Sequence, residues 1–155
     1  MTAYFLDSSA VVKRYLPEHG TAWIRHVCDP GSGNTIILSA ITVVEVAAAL
    51  AARHRATGGI SRTARDNALT LFLRYYGGEY DVTDLDRAIL GQAVELPQRH
   101  RLRGYDAVQL ATALAADRVL RMAGVGNLTF IAADTELLAA ARAEGLVATD
   151  PNLYG

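Results

Sequence analysis

The sequence predicts an α/β domain built on a mainly parallel sheet that helices cover on both faces. Three observations lead there. Short apolar runs alternate with helical stretches along the whole chain, the runs are apolar at successive positions, and turn residues separate them. Runs that are apolar on both faces belong to a sheet buried on both sides, and parallel neighbours need a crossover helix between them.

Tyr4-Phe5-Leu6 is the first run. It ends at Asp7-Ser8-Ser9, all favourable helix caps, before a helical stretch over 10–16 that Pro17 stops. A second helix is expected over 21–27, followed by a loop over 29–34 rich in Asp, Pro, Gly, Ser and Asn. Thr35-Ile36-Ile37-Leu38 reads as the second strand. Ser39 is placed to cap a helix over 41–55, Gly58-Gly59 breaks it, and Ser61 or Arg62 starts another that reaches Tyr76 before Gly77-Gly78. The two glycine pairs bracket a helical hairpin. A short third strand is expected over 79–82, then a helix capped by Thr83 and ending near Leu96-Pro97, then a helix from Gly104 through Met122. A strand over 127–132 runs into Asp134 and a helix over 135–144, and Gly145 turns the chain toward a weak last strand over 146–148.

With 155 residues, 51% of them hydrophobic and 20% charged, the chain suits a single domain over 1–155 with a proper core. Its net charge of −1 gives no overall attraction to nucleic acid, so any such contact falls to local patches. The single cysteine, Cys28, excludes an internal disulfide framework and a multi-cysteine zinc site, and fits a reducing cytoplasm. The first residues lack the basic and apolar regions of a signal peptide, and the longest apolar stretch, over 36–52, is shorter than the ~20 residues of a membrane helix and contains Glu45. Neither export nor a membrane is expected. The four histidines have no ligand spacing, and the 30–34 loop lacks the Gly-Lys-Ser/Thr ending of a phosphate loop.

Four carboxylates stand out against this background. In open α/β sheets ligands bind beyond the carboxyl ends of the strands, where Asp7 and Asp134 are both expected. Each could simply cap a helix, although Ser8 or Ser9 could replace Asp7 in that role. Glu45 sits among Ile41, Val43, Val44, Val46, Ala47, Ala48, Ala49 and Leu50, where a carboxylate costs several kcal/mol unless it is paired or bound to a cation. Asp106 falls in the first turn of its helix, a position the helix dipole favours for an acid. Four such charges brought to one sheet edge repel one another and would take up protons unless a cation neutralised them. All-oxygen ligation suits Mg²⁺ or Mn²⁺, and such an ion can polarise a phosphodiester oxygen.

The segments around these acids, Tyr4-Phe5-Leu6-Asp7-Ser8-Ser9-Ala10, Ser39-Ala40-Ile41-Thr42-Val43-Val44-Glu45-Val46, Gly104-Tyr105-Asp106-Ala107-Val108-Gln109-Leu110-Ala111 and Thr129-Phe130-Ile131-Ala132-Ala133-Asp134-Thr135-Glu136-Leu137, resemble the PIN-domain ribonucleases, most closely the VapC toxins of bacterial toxin–antitoxin pairs. Each segment alone is weak; their order and joint presence are specific. The resemblance implies a three-layer α/β/α PIN-like domain, Mg²⁺- or Mn²⁺-dependent endoribonuclease activity, a homodimer, and inhibition by a cognate VapB-type antitoxin. It carries Asp7, Glu45, Asp106 and Asp134 over as the catalytic and metal-holding acids, with Ser8 as a supporting hydroxyl that could equally be a helix cap. Asp117, three turns beyond Asp106, lies too far along its helix to join them.

Arg99, Arg101 and Arg103 precede Asp106 and form a candidate strip for the phosphates of an RNA strand, or else a solvated loop. Arg53, His54, Arg55, Arg62 and Arg65 form a second basic group that reads equally well as ordinary surface. Two other functions compete: an inactive PIN-fold module binding RNA or protein, and a phosphatase with Asp7 as nucleophile. The phosphatase needs a second aspartate where Ser9 stands and a site lysine, for which only Lys13 is present.

Overall fold

A computed structural model describes residues 2–155; Met1 lies outside them. Five strands form one sheet, β1 (Ala3–Leu6), β2 (Thr35–Ser39), β3 (Asp81–Thr83), β4 (Leu128–Ile131) and β5 (Val147–Thr149), in the order β3-β2-β1-β4-β5. Every pairing is parallel, with Phe5 opposite Ile37 on one side and Phe130 on the other. The strand order reverses at β1, so the carboxyl ends of β1 and β4 flank the crevice where such sheets bind ligands.

Seven helices complete the layers: α1 (Ser8–Tyr15), α2 (Thr21–Val27), α3 (Thr42–Arg55), α4 (Arg62–Tyr76), α5 (Arg87–Arg99), α6 (Gly104–Met122) and α7 (Thr135–Ala143). Alternate strand residues divide between two cores because successive side chains point to opposite faces. Phe5, Ile37, Leu128 and Phe130 pack with α5, α6 and α7, and the Phe5 and Phe130 rings stack at 5.6 Å. Leu6, Ile36, Leu38 and Ile131 pack with α1, α2, α3 and α4. The result is the three-layer α/β/α arrangement expected from the sequence, including the α3–α4 hairpin.

That hairpin depends on its glycines. Gly58 has φ +69°, and a Cβ on Gly59 would fall 1.9 Å from the Arg53 carbonyl oxygen. Gly59→Ala must therefore displace backbone, and a loss of about 1–3 kcal/mol in urea-unfolding stability is expected, the usual cost of forcing atoms into a filled space.

Several boundaries differ from the sequence expectation. Ser39 ends β2, and its hydroxyl accepts only from the Ile41 N–H at 3.4 Å: the residue before α3 is Ile41, without a side-chain cap of its own. Thr83 is likewise a strand residue, and Asp86 caps α5 through the Ile89 N–H. Pro97 does not stop α5, which runs on to Arg99. The proline gives up its own bond to the Ala93 carbonyl, and packing against α6 keeps the helix going. The third strand begins at Asp81, leaving Glu79 to pair with Arg14 at 2.7 Å. β5 lies one residue later than expected, and a 3-10 turn over Pro151–Leu153 follows it.

Candidate active site

Asp7 leaves the end of β1 directly and caps α1, Oδ1 accepting from the Ala10 N–H at 3.0 Å. The capping role that Ser8 or Ser9 could have taken thus belongs to Asp7 itself. Ser9 supports it from the side: its hydroxyl donates to Asp7 Oδ1 at 2.7 Å and accepts from the Ala133 N–H at 3.0 Å. With Asp7 N–H bonded to the Ile131 carbonyl, this ties the end of β1 to the turn that leads to Asp134. Both side-chain bonds fall on Oδ1, so Asp7 Oδ2 has no hydrogen bond among the described residues.

Asp134 caps α7 in the same manner, through Leu137 N–H at 3.0 Å, and is exposed. Asp106 is the third residue of α6 and accepts from the backbone N–H of Arg103, the residue before the helix, as in a capping box. Three acids are therefore helix-terminal hydrogen-bond acceptors and members of one sheet edge at once. Glu45, in the first turn of α3, accepts from Gln109 Nε2 at 2.6 Å and from the Ser8 hydroxyl. Ser8 is thus a partner of Glu45 rather than a cap.

The acids sense one another along a row. Burial pushes the Asp7 carboxyl up to about 7, against the Ser9 and Ala10 hydrogen bonds, and the charges of Glu45 and Asp106 push the same way. Burial also raises Glu45, aided by Asp106, and raises Asp106, aided by Asp134. Among the described residues none of the four forms an ion pair. Asp7 is the most enclosed of them at 4% exposure, while Glu45 is only half-buried. That reverses the sequence expectation, because α3 turns part of its apolar surface, Val44 at 59% exposure included, toward an open groove instead of the core.

The groove measures about 540 Å³ and lies between α1 and α3; Ser8, Ser9, Val12, Val44, Glu45 and Tyr105 contribute to its walls. Lys13 and Arg53 also face it, but both pair with Glu18, at 3.2 Å and 2.6 Å. The Lys13 ammonium further donates to the His19 carbonyl, so it is committed to the α1–α2 loop and unavailable as a phosphatase lysine. A second cavity of about 240 Å³ holds Asp106, Asp134 and Glu136 beside Arg101 and Arg103.

The row is spread rather than clenched. Among the described residues no group of three or more Asp, Glu, His or Cys side chains is arranged to hold one ion directly. The expectation of four converging ligands is corrected to that extent: three of the acids are fixed to their own helix starts and Glu45 is held by Gln109 and Ser8, which sets the spacing. A hard, hydrated dication fits such a row, since Mg²⁺ keeps several waters and takes one or two carboxylates. The donors are all oxygen, and three of them resist ionisation without a cation.

Of the three arginines singled out in the sequence, Arg101 and Arg103 line the acid cavity, whereas Arg99 does not. Arg99 forks onto Glu144 at 2.7 and 3.1 Å, joined there by His100, and together they hold Glu144 down at about 2. In the second basic group Arg62 and Arg65 pair with Asp66 on the surface. Asp117 accepts from the Leu128 N–H and pairs with Arg121, a structural role at the start of β4. Ser9 and Gln109 are the site residues that sequence reasoning overlooked. For Gln109 the signal was present: an amide inside the apolar run Ala107-Val108-Gln109-Leu110-Ala111, the same anomaly that marked Glu45.

Among the described residues no helix is long and apolar enough to cross a membrane. None of the curated proteins matches the sequence. Solved structures do. The chain is similar to VapBC2 from Rickettsia felis, crystallised on a DNA fragment from its promoter, at 14% identity over 96% of this chain and 98% of that one, with a TM-score of 0.64. It is similar to FitAcB from Neisseria gonorrhoeae at 17% identity, over 96% and 97% of the two chains, with a TM-score of 0.61. VapC20 from Mycobacterium tuberculosis, a Sarcin-Ricin loop cleaving toxin, matches at 18% identity over 93% and 96%, also at 0.61. These likenesses establish the fold. The sequence profile of the PIN domain matches residues 4–143, and the chain belongs to the PIN-domain family.

Proposed function

We propose that this PIN domain is a Mg²⁺- or Mn²⁺-dependent endoribonuclease acting as the toxin of a toxin–antitoxin pair. The observation that supports it most is the row Asp7, Glu45, Asp106 and Asp134 at the sheet's carboxyl edge, the first three of them pushed toward protonation by burial and by neighbouring charges, and none with a cationic partner among the described residues. Those four residues would hold the ion, one or two of them directly and the others through its waters. When bound, it polarises the scissile phosphate and acidifies water for in-line attack.

The protein's own groups divide the remaining work. Ser9 fixes the Asp7 carboxylate to the β1 edge, and Ser8 and Gln109 fix Glu45. Arg103, beside Asp106 and Asp134, is placed to meet flanking phosphates, as is Arg101, which is exposed and only loosely paired with Glu136 at 3.6 Å, whereas Arg99 drops out of that strip because Glu144 holds it at 2.7 Å. The toxin role and an antitoxin partner extend to this chain what its structural neighbours are: toxin–antitoxin complexes and a Sarcin-Ricin loop cleaving toxin; the homodimer, the VapB type of antitoxin and the cytoplasmic setting follow from the sequence reading alone. The purified protein is expected to cut RNA internally with Mg²⁺ or Mn²⁺, to stop in EDTA, and to arrest growth on expression unless its antitoxin is co-expressed. Cleavage that survives EDTA would overturn the metal; no cleavage of any RNA with Mn²⁺ would return the chain to a binding module.

A further inference from the structure

We propose that Gln109 is a positioning residue that sets Glu45 within the acid row, an inference that rests on the metal-dependent reading above. Gln109 lies one turn after Asp106 on α6 and is 1% exposed. Its Nε2 has two hydrogens, and both are used: one donates to Glu45 Oε1 at 2.6 Å, the other to Thr42 Oγ1 at 2.9 Å. Its Oε1, buried, has no partner at all.

That orphaned oxygen is informative. A buried carbonyl without a donor weakens the fold, so it calls for an explanation. Turning the amide end for end would give Oε1 the Thr42 hydroxyl, but it would also set a carbonyl oxygen against the Glu45 carboxylate. The orientation that serves Glu45 is the one that leaves Oε1 alone. Methionine would fill the space between α3 and α6 with nearly the same shape and no oxygen of its own to orphan, giving up the bond to the Thr42 hydroxyl, so space-filling alone does not call for the amide.

The same side chain links the two helices that carry Glu45 and Asp106, so it sets the spacing between those acids. Glu45 has three rotatable bonds, and without the amide only the Ser8 hydroxyl restrains it. Groups that hydrogen-bond a metal-holding carboxylate hold it in the binding geometry, and losing one weakens metal affinity about 10–100-fold.

The test titrates Mn²⁺ into the full chain by calorimetry and records thermal melts in EDTA for the parent, Gln109→Met and Thr112→Val. Thr112 is the control: it is buried on the same helix, its hydroxyl donates to the Val108 carbonyl and meets Ser39, and it does not touch Glu45. Gln109→Met is expected to bind Mn²⁺ about 10–100-fold more weakly with a melting temperature in EDTA no lower than that of Thr112→Val. Thr112→Val is expected to melt lower and bind Mn²⁺ normally. Parent-like Mn²⁺ affinity in Gln109→Met overturns the positioning role alone. So does an affinity loss that Thr112→Val shares. A parent that binds no Mn²⁺ overturns the metal-dependent reading and this inference with it.

Discussion

Asp7→Asn is expected to cleave RNA about 10³-fold more slowly than the parent while melting at a higher temperature in EDTA near neutral pH. The two effects have one origin. Both hydrogen bonds that Asp7 accepts fall on Oδ1, which the asparagine carbonyl supplies equally, so the α1 cap and the Ser9 contact survive the change. What disappears is a negative charge in an enclosed place. For the metal-free fold that is relief, since burial and the neighbouring acids oppose the charge. For catalysis it removes part of the attraction that holds a cation, whose contribution to a phosphodiester transition state is several kcal/mol, or about three powers of ten in rate. Single-turnover cleavage of a labelled RNA and calorimetric melting measure the two effects. A variant that cleaves within a few-fold of the parent excludes Asp7 from the reaction; one that melts lower shows that the charge was compensated.

This opposition between stability and activity explains which parts of the site the sequence made legible. Glu45 was conspicuous because its neighbours along α3 are apolar, yet those neighbours line the groove as well as the core, so Glu45 is only half-buried. Asp7 looked ordinary beside Ser8 and Ser9 but is the enclosed one, because the ends of β1 and β4 close over it through Ser9 and Ala133. Enclosure of that kind comes from residues more than a hundred positions apart, and no local pattern records it.

Capping a helix and standing in the acid row are compatible rather than alternative. Asp7, Asp106 and Asp134 each give an oxygen to a helix N-terminus, and that bond is what aims the rest of the carboxyl group along the sheet edge. The strand order was open from the sequence as well, although the alternation of strands and helices predicted a mainly parallel sheet. The boundaries that moved, at Ser39, Thr83 and Pro97, are those where tertiary pairing or helix packing overrode a good local signal. Arg99 was misjudged for the same reason: its partner Glu144 is 45 residues away.

The metal-free protein is expected to lose stability as pH rises from about 4 to about 7, and Mn²⁺ is expected to recover part of that loss. In the folded protein Asp7 moves from 3.8 to about 7, so within that window the folded state holds a proton that the unfolded chain has released. Its stabilising contribution is therefore complete below the unfolded value and gone above the folded one, a difference of about 4 kcal/mol at 1.36 kcal/mol per pH unit. Glu45 and Asp106, both raised, add to the slope in the same direction. Glu144, held down at about 2, acts with the opposite sign but below the window. A cation binds the ionised row, so at about a hundred times its dissociation constant it returns about 2.7 kcal/mol, and only where the acids are charged. Urea unfolding in EDTA and in Mn²⁺ across the window measures both effects, and subtracting the Asp7→Asn series isolates the one carboxyl. A parent and an Asp7→Asn variant with parallel pH profiles in EDTA would mean that Asp7 ionises freely in the fold, and the physical case for a cation at this edge would lose its strongest member.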